Sequence, residues 1–217
     1  PGHLASNCFV VRLREFEMPP EQAVRTAEEV LSILTQKGLP NYFGPQRFGN
    51  RGNNHLLGKA VIRNDAEGFI DLLLGAPEEE TDGPATFRAR TLYSEGHYQK
   101  ALNAWPGHQG EQCRALRALV KSQGSMKRAF HAVDKHLKSF FVSAYQSEVF
   151  NRVLAARMPD IDMLLLGDMA CKHINGACFR VEDLAAEQPR CACFEISPTG
   201  PLFGQRTTRL IGPAGEI

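Results

Sequence analysis

Residues Gly38–Gly49 read GLPNYFGPQRFG, a run that carries three aromatic rings, an Asn, a Gln and an Arg and no acidic residue. Gly44, Pro45, Gly49 and Gly52 predict an irregular segment through Asn54, because glycine and proline punctuate regular structure. The loop therefore separates whatever precedes it from whatever follows. Tyr42, Phe43 and Phe48 can stack on unpaired bases, Asn41 and Gln46 can hydrogen-bond base edges, and Arg47 can neutralise phosphate or stack as a plane. The same residues can equally build a packed turn.

On the N-terminal side, Asn7–Phe16 (NCFVVRLREF) sets Phe9, Val11 and Leu13 against Val10, Arg12 and Arg14. That alternation predicts a strand with one charged face, which needs sheet partners. Pro19-Pro20-Glu21 then opens an apolar set at helical spacing (Ala23, Val24, Ala27, Val30, Leu31, Leu34) that stops at Lys37-Gly38; proline at the start and glycine at the end frame a helix of about four turns.

From His55 on, helical patterns dominate: Ala66–Leu74, Ala85–Ala104, Gln112–Ser122 and Met126–Arg157, with an acidic, exposed link at Gly75–Pro84. After Pro159 the pattern turns to short strands at Met163–Leu166, Ala177–Val181 and Ala192–Ile196. Asn175-Gly176 signals a hairpin, and Glu182–Glu187 a helical turn. Together these predict an α+β architecture with a boundary near residues 55 to 66.

Hydrophobic residues at 43% and charged residues at 23% describe a folded chain rather than a disordered one. No apolar run approaches the roughly 20 residues that span a bilayer, and no basic-plus-apolar leader opens the sequence, so the expectation is a cytosolic protein. Net charge is +1, but its distribution is uneven. Val30–Asn64 has no Asp or Glu against Lys37, Arg47, Arg51, Lys59 and Arg63. Arg114–Phe140 has seven Lys or Arg against Asp134 alone. Two basic stretches fit a nucleic-acid face, and also fit solvated helix faces.

The six cysteines contain no C-x-x-C pair, and zinc sites usually draw two ligands from one tight turn. Cys191 and Cys193, read as strand residues in CACFEI, would share a face. Metal-free, buried thiols are the expected state. His131 and His136, about 140° apart on one helix, diverge. No P-loop, zinc-protease or nucleophile-elbow motif is present.

Four strings in order resemble the TruD family of tRNA pseudouridine synthases. NYFG in the loop is similar to that family's signature; GHLASNCFVVRLRE at the start resembles its G-x-L-x-x-N-x-F segment; SAYQSEVFNR (Ser143–Arg152) resembles its S-x-x-Q-S-x-x-F-N helix; and PTGPLFG (Pro198–Gly204) resembles a late loop. The resemblance implies that residues 1–60 are part of a mixed-sheet catalytic core bearing the NYFG loop, and that residues 61–217 are the family's inserted, mostly helical α+β domain. It implies isomerisation of a D-arm uridine of tRNA, uridine-13 by family pattern, to pseudouridine, with tRNA as partner and no cofactor or metal.

By the same resemblance Asn41 orients the catalytic Asp and the uracil, Phe43 stacks on the base, and Gln46, Arg47, Phe48, Arg51 and Lys59 support substrate binding, with packing as the competing role for Phe48. The family's Asp lies in a G-x-K-D-like motif upstream of the core strand. None of Asp65, Asp71, Asp82, Asp134, Asp160, Asp162, Asp168 or Asp183 stands in that context, so the catalytic role goes to none of them. The competing readings are a non-catalytic RNA-binding protein or fragment and, third, a protein-interaction module with a merely packed aromatic loop.

Overall fold

The computed structural model describes residues 8–107, 110–204, 207–208 and 210–216. The chain divides into two compact units, Pro1–Pro40 and Asn41–Ile217. In the first, helix α1 (Pro20–Lys37) starts with proline and ends where the Gly38 N–H donates to the Leu34 carbonyl, as its sequence predicts. None of its residues is buried. The strand expected at Asn7–Phe16 does not form over residues 8–16, whose Phe9, Val10, Val11 and Leu13 are exposed; Asn7 lies outside the described residues. Alternation alone makes no strand. The ladder needs a partner, and no described residue of this chain pairs with this segment.

The second unit is a helical block followed by a small sheet. Its helices are α2 (Asn54–Ile62), α3 (Ala66–Leu74), α4 (Pro84–Ser94), α5 (Tyr98–Ala104), α6 (Glu111–Lys121), α7 (Met126–Ala132) and α8 (Lys135–Arg157). Two stretches predicted as single helices are each broken. Ala85–Ala104 parts at Gly96, in the left-handed region at φ 79°, and Met126–Arg157 parts at Val133, whose backbone is extended. Asp134 then restarts the helix by accepting from the His136 and Leu137 N–H groups at 2.7 and 3.2 Å, an N-cap that satisfies donors the helix leaves orphaned.

The main core joins Phe69, Ile70 and Leu74 of α3 to Leu116 and Leu119 of α6, with Phe130 of α7 and Phe141 of α8 closing it. Phe69 meets Phe130 edge-on at 5.1 Å. Burying side chains of this size stabilises the fold by roughly 1.5–3 kcal/mol apiece. α2 lies directly on α8. A Cβ at Gly58 would stand 2.0 Å from the Phe141 carbonyl oxygen, so the two backbones come closer than any side chain allows.

The acidic link expected to be exposed is only partly so. Glu79 and Glu80 face solvent, but the Asp82 side chain is 3% exposed and pairs with Arg90 at 3.1 Å. Arg90 also donates to the carbonyls of Leu73 and Gly75, at 3.0 and 2.9 Å, closing the end of α3. Burial is the main influence lowering the Arg90 pKa, with repulsion from Arg51 adding to it and Asp82 opposing.

Beyond α8, β1 (Met169–Lys172) sits between β2 (Cys178–Arg180) and β3 (Ile196–Pro198), both antiparallel to it. The Asn175-Gly176 turn joins β1 to β2 as expected, with the Gly176 N–H on the Lys172 carbonyl. Met163–Leu166 is not a strand. Leu164 instead enters a second small core with Ala170, Val181, Cys191 and Ile196, and the Asp168 carboxylate accepts from the Leu165 N–H at 2.7 Å and from Arg157 at 3.0 Å. Cys191 and Cys193 are not strand partners either: Cys191 ends on α9 (Leu184–Ala192) and Cys193 follows it. All six thiols are free, yet Cys8, Cys178 and Cys193 are exposed rather than buried.

Two outcomes follow from this packing. Gly58→Ala should destabilise the fold by about 1–3 kcal/mol through overpacking, and an unchanged thermal midpoint would remove the close approach of α2 and α8 from the account. The cap bonds hold the Asp134 carboxyl below its ordinary range, chiefly through the His136 and Leu137 N–H groups. Its stabilisation is thus present above the unfolded-state pKa of about 3.9 and is lost as pH falls through the lower folded value. Asp134→Asn, which keeps a cap oxygen, should flatten that acid limb in denaturation curves recorded from pH 5 downward; identical limbs would contradict the assignment.

Candidate nucleic-acid interface

The loop is less irregular than its glycines and prolines predict. Pro45–Phe48 winds into one 3-10 turn, with the Arg47 N–H on the Gly44 carbonyl at 3.0 Å, because proline at the first position supplies the required φ and gives up an N–H that would have no partner. α2 then starts at Asn54 itself, whose side-chain amide donates to the Arg47 carbonyl at 3.3 Å.

This loop is seated on α8. The Asn151 side chain holds the backbone of Phe43 from both sides: its Oδ1 accepts from the Phe43 N–H and its Nδ2 donates to the Phe43 carbonyl, both at 2.9 Å. The Phe43 ring stands edge-on to Phe150 at 5.4 Å. The Arg47 guanidinium lies 5.5 Å from the Phe43 ring centre and 5.8 Å from that of Phe140, and no carboxylate among the described residues pairs with it. Phe140 and Asn151 are three helical turns apart, about 16 Å along one stripe of α8. The loop runs along that stripe.

The Pro198–Gly204 segment docks on a neighbouring stripe. Gln146 Nε2 donates to the Phe203 carbonyl at 2.6 Å, and a Cβ at Gly200 would stand 2.4 Å from the Phe150 ring. Phe150 thus touches both loops. Three of the four strings that carry the family resemblance meet on one helix; residues 2–7 of the fourth lie outside the described residues.

The other expected site residues divide. Asn41, Tyr42 and Gln46 are exposed beside Phe43. Phe48 packs edge-on against His55 at 5.7 Å, the packing role. Lys59 is half-buried on α2. Arg51 is committed elsewhere: its side chain is 11% exposed, and its guanidinium pairs with Glu78 at 3.1 Å and donates to the Gly75 and Ala76 carbonyls. A buried, neutralised arginine is a poor phosphate ligand, and Arg51 is held by these partners rather than displayed beside Phe43. Phe140, Phe150, Asn151 and Gly200 join the candidate residues. The signal for Phe150 and Asn151 was the F-N ending the α8 string, though nothing in sequence says what those two side chains touch.

Among the described residues no three His, Cys, Asp or Glu side chains converge as metal ligands, and no helix is long and apolar enough to cross a membrane. The loop thus displays aromatic rings, and an arginine that no described carboxylate pairs, along helix α8.

Comparison with known proteins gives the family. The family model for tRNA pseudouridine synthase D (TruD) matches residues 1–217. The chain is 45% identical over 215 residues to a tRNA pseudouridine synthase D of Geobacter sulfurreducens, covering 99% of this chain and 51% of that one. It is 43% identical to the one of Geotalea daltonii, covering 99% and 52%. A solved structure from Methanosarcina mazei assigned to tRNA pseudouridine synthase D superimposes with a TM-score of 0.82 at 26% identity, covering 94% of this chain and 50% of that one. The chain belongs to the TruD family. It spans about half the length of the curated relatives it matches.

If Phe150 carries contact from one loop to the other, Gly200→Ala should shift the resonances of Phe43, which Gly200 does not touch, and leave those of Leu116 in place. Phe43 signals that stay put would show the two loops to be independent.

Proposed function

We propose that this chain is the middle part of a tRNA pseudouridine synthase that isomerises a D-arm uridine, uridine-13, in the cytoplasm. In this reading residues 1–60 are the core portion and bring the loop, while residues 61–217 are the inserted portion and bring the helix that holds it. The observation that carries the proposal is the seating of Phe43: backbone clamped by Asn151, ring braced by Phe150, and Arg47 alongside with no acidic partner among the described residues. A uridine must leave its stack to react. A braced ring takes one face of the displaced base, and the neighbouring arginine takes a phosphate. Asn41, exposed two residues before Phe43, is placed to reach the base edge.

The catalytic carboxylate is assigned outside these 217 residues. In support, most of the aspartates named above already hold structural partners. Asp65, Asp134 and Asp183 cap helices. Asp71 accepts from Tyr93 at 2.5 Å, and Asp82 and Asp168 pair with Arg90 and Arg157. The runner-up, RNA binding without chemistry, shares the same loop and lacks only the carboxylate.

Tritium release from C5-labelled uridine in tRNA separates the two. The full-length protein should release tritium and the 217-residue chain alone should not. Phe43→Ala in the full-length protein should slow single-turnover conversion by roughly 10- to 100-fold, the equivalent of about 1–3 kcal/mol of stacking, while tRNA affinity, held by salt-sensitive phosphate contacts, changes little. Turnover by the chain alone, or normal turnover by Phe43→Ala, would falsify this assignment.

A further inference from the structure

We propose that Asn151 is a positioning residue for the reaction, fixing the height and tilt of Phe43 on α8; this rests on the synthase reading above. A primary carboxamide offers one acceptor and one donor side, and Asn151 spends both on a single residue, at 2.9 and 2.9 Å. That is the pattern a neighbouring β-strand would give, supplied here by a helix to a loop that has no ladder. Beyond its ring contacts, the hydrogen bonds that shape the loop are those of the 3-10 turn over Pro45–Phe48 and the bond from Asn54 to the Arg47 carbonyl. Neither involves Phe43.

The anchor beneath is firm. Asn151 lies in the fourth to fifth turn of the 23-residue α8, which is locked by the approach of Gly58 to Phe141 and, at its C-terminal end, by the Arg157–Asp168 pair at 3.0 Å. The clamp therefore transfers the rigidity of a core helix to one loop residue, and Phe150, next in sequence, fixes the ring that the clamp places. Asn151 touches neither base nor phosphate in this arrangement. A ring moved by about 1 Å loses register with a displaced base, an error that costs on the order of 100-fold in rate.

The experiment uses the full-length protein with Asn151→Ala and Asn151→Asp. The aspartate keeps the acceptor for the Phe43 N–H and loses the donor to its carbonyl. Hydrogen exchange of the Asn41–Phe48 backbone is followed beside that of Leu116 and Leu119, with single-turnover rate and tRNA affinity measured on the same samples. In Asn151→Ala, loop exchange should rise and turnover should fall, each by roughly 10- to 100-fold for two lost hydrogen bonds. The aspartate should fall between, core exchange should hold and affinity should barely move.

Unchanged loop exchange overturns the clamp. Faster loop exchange with normal turnover overturns its role in the reaction. Core exchange rising in step with the loop makes Asn151 a general stability residue and overturns the proposal as well. A wild-type protein that releases no tritium sinks the synthase reading, and the positioning role with it, whereas the exchange arm still decides whether Asn151 holds Phe43.

Discussion

Everything at the candidate interface depends on how closely α2 can lie against α8. With no side chain at Gly58, the helix meets the carbonyl of Phe141 directly, and α8 becomes a fixed rail rather than one helix among several. The loop, the Pro198–Gly204 segment and the small sheet all take their places from it. Phe140 and Asn151 receive the first, Gln146 and Phe150 the second, and Arg157, through Asp168, the third. A 23-residue helix with only Phe141, Ala144 and Ser147 buried has most of its circumference left for such work. The weak amphipathicity of α8 has the same cause, since several faces bear contacts.

The helical block was readable because helices are local: Ala66–Leu74 was foreseen to the residue, and the breaks at Gly96 and Asp134 were marked by a glycine and a capping aspartate that periodicity alone passed over. Strands were harder. Residues 8–16 alternate well and pair with no described residue, whereas Met169–Lys172, which alternates little, pairs on both sides. Whether a segment becomes a strand is settled by the segment beside it, and sequence distance hides that. Asn175-Gly176 was the exception because its turn chemistry is contained in two residues.

The site divides along the same line. Residues whose chemistry is visible in their type, such as Phe43 and Arg47, could be named from the loop. Asn151 could not be given a task, because its partner is 108 positions away. The surroundings of Arg51 were hidden for the matching reason: a basic residue in an acid-free stretch looks unopposed until folding brings Glu78 to it and carries the carbonyls of Gly75 and Ala76 along. Local charge counts describe a chain, while ion pairs belong to the fold.

The Arg90 network has one more consequence. The chain has a single tryptophan, Trp105, 6% exposed, with the Arg90 guanidinium 5.3 Å from its ring. Its indole thus belongs to the main core at the end of α5, beside the arginine that closes the end of α3. Tryptophan emission, excited at the red edge where the tyrosines do not absorb, is a spectroscopic gauge of one place, the burial of that cationic knot, rather than of the loop that bears Phe43. A spectrum that changes on heating and stays constant on adding RNA reports the integrity of the scaffold alone, so an optical titration of the interface needs a dye placed elsewhere, on the exposed side of α8.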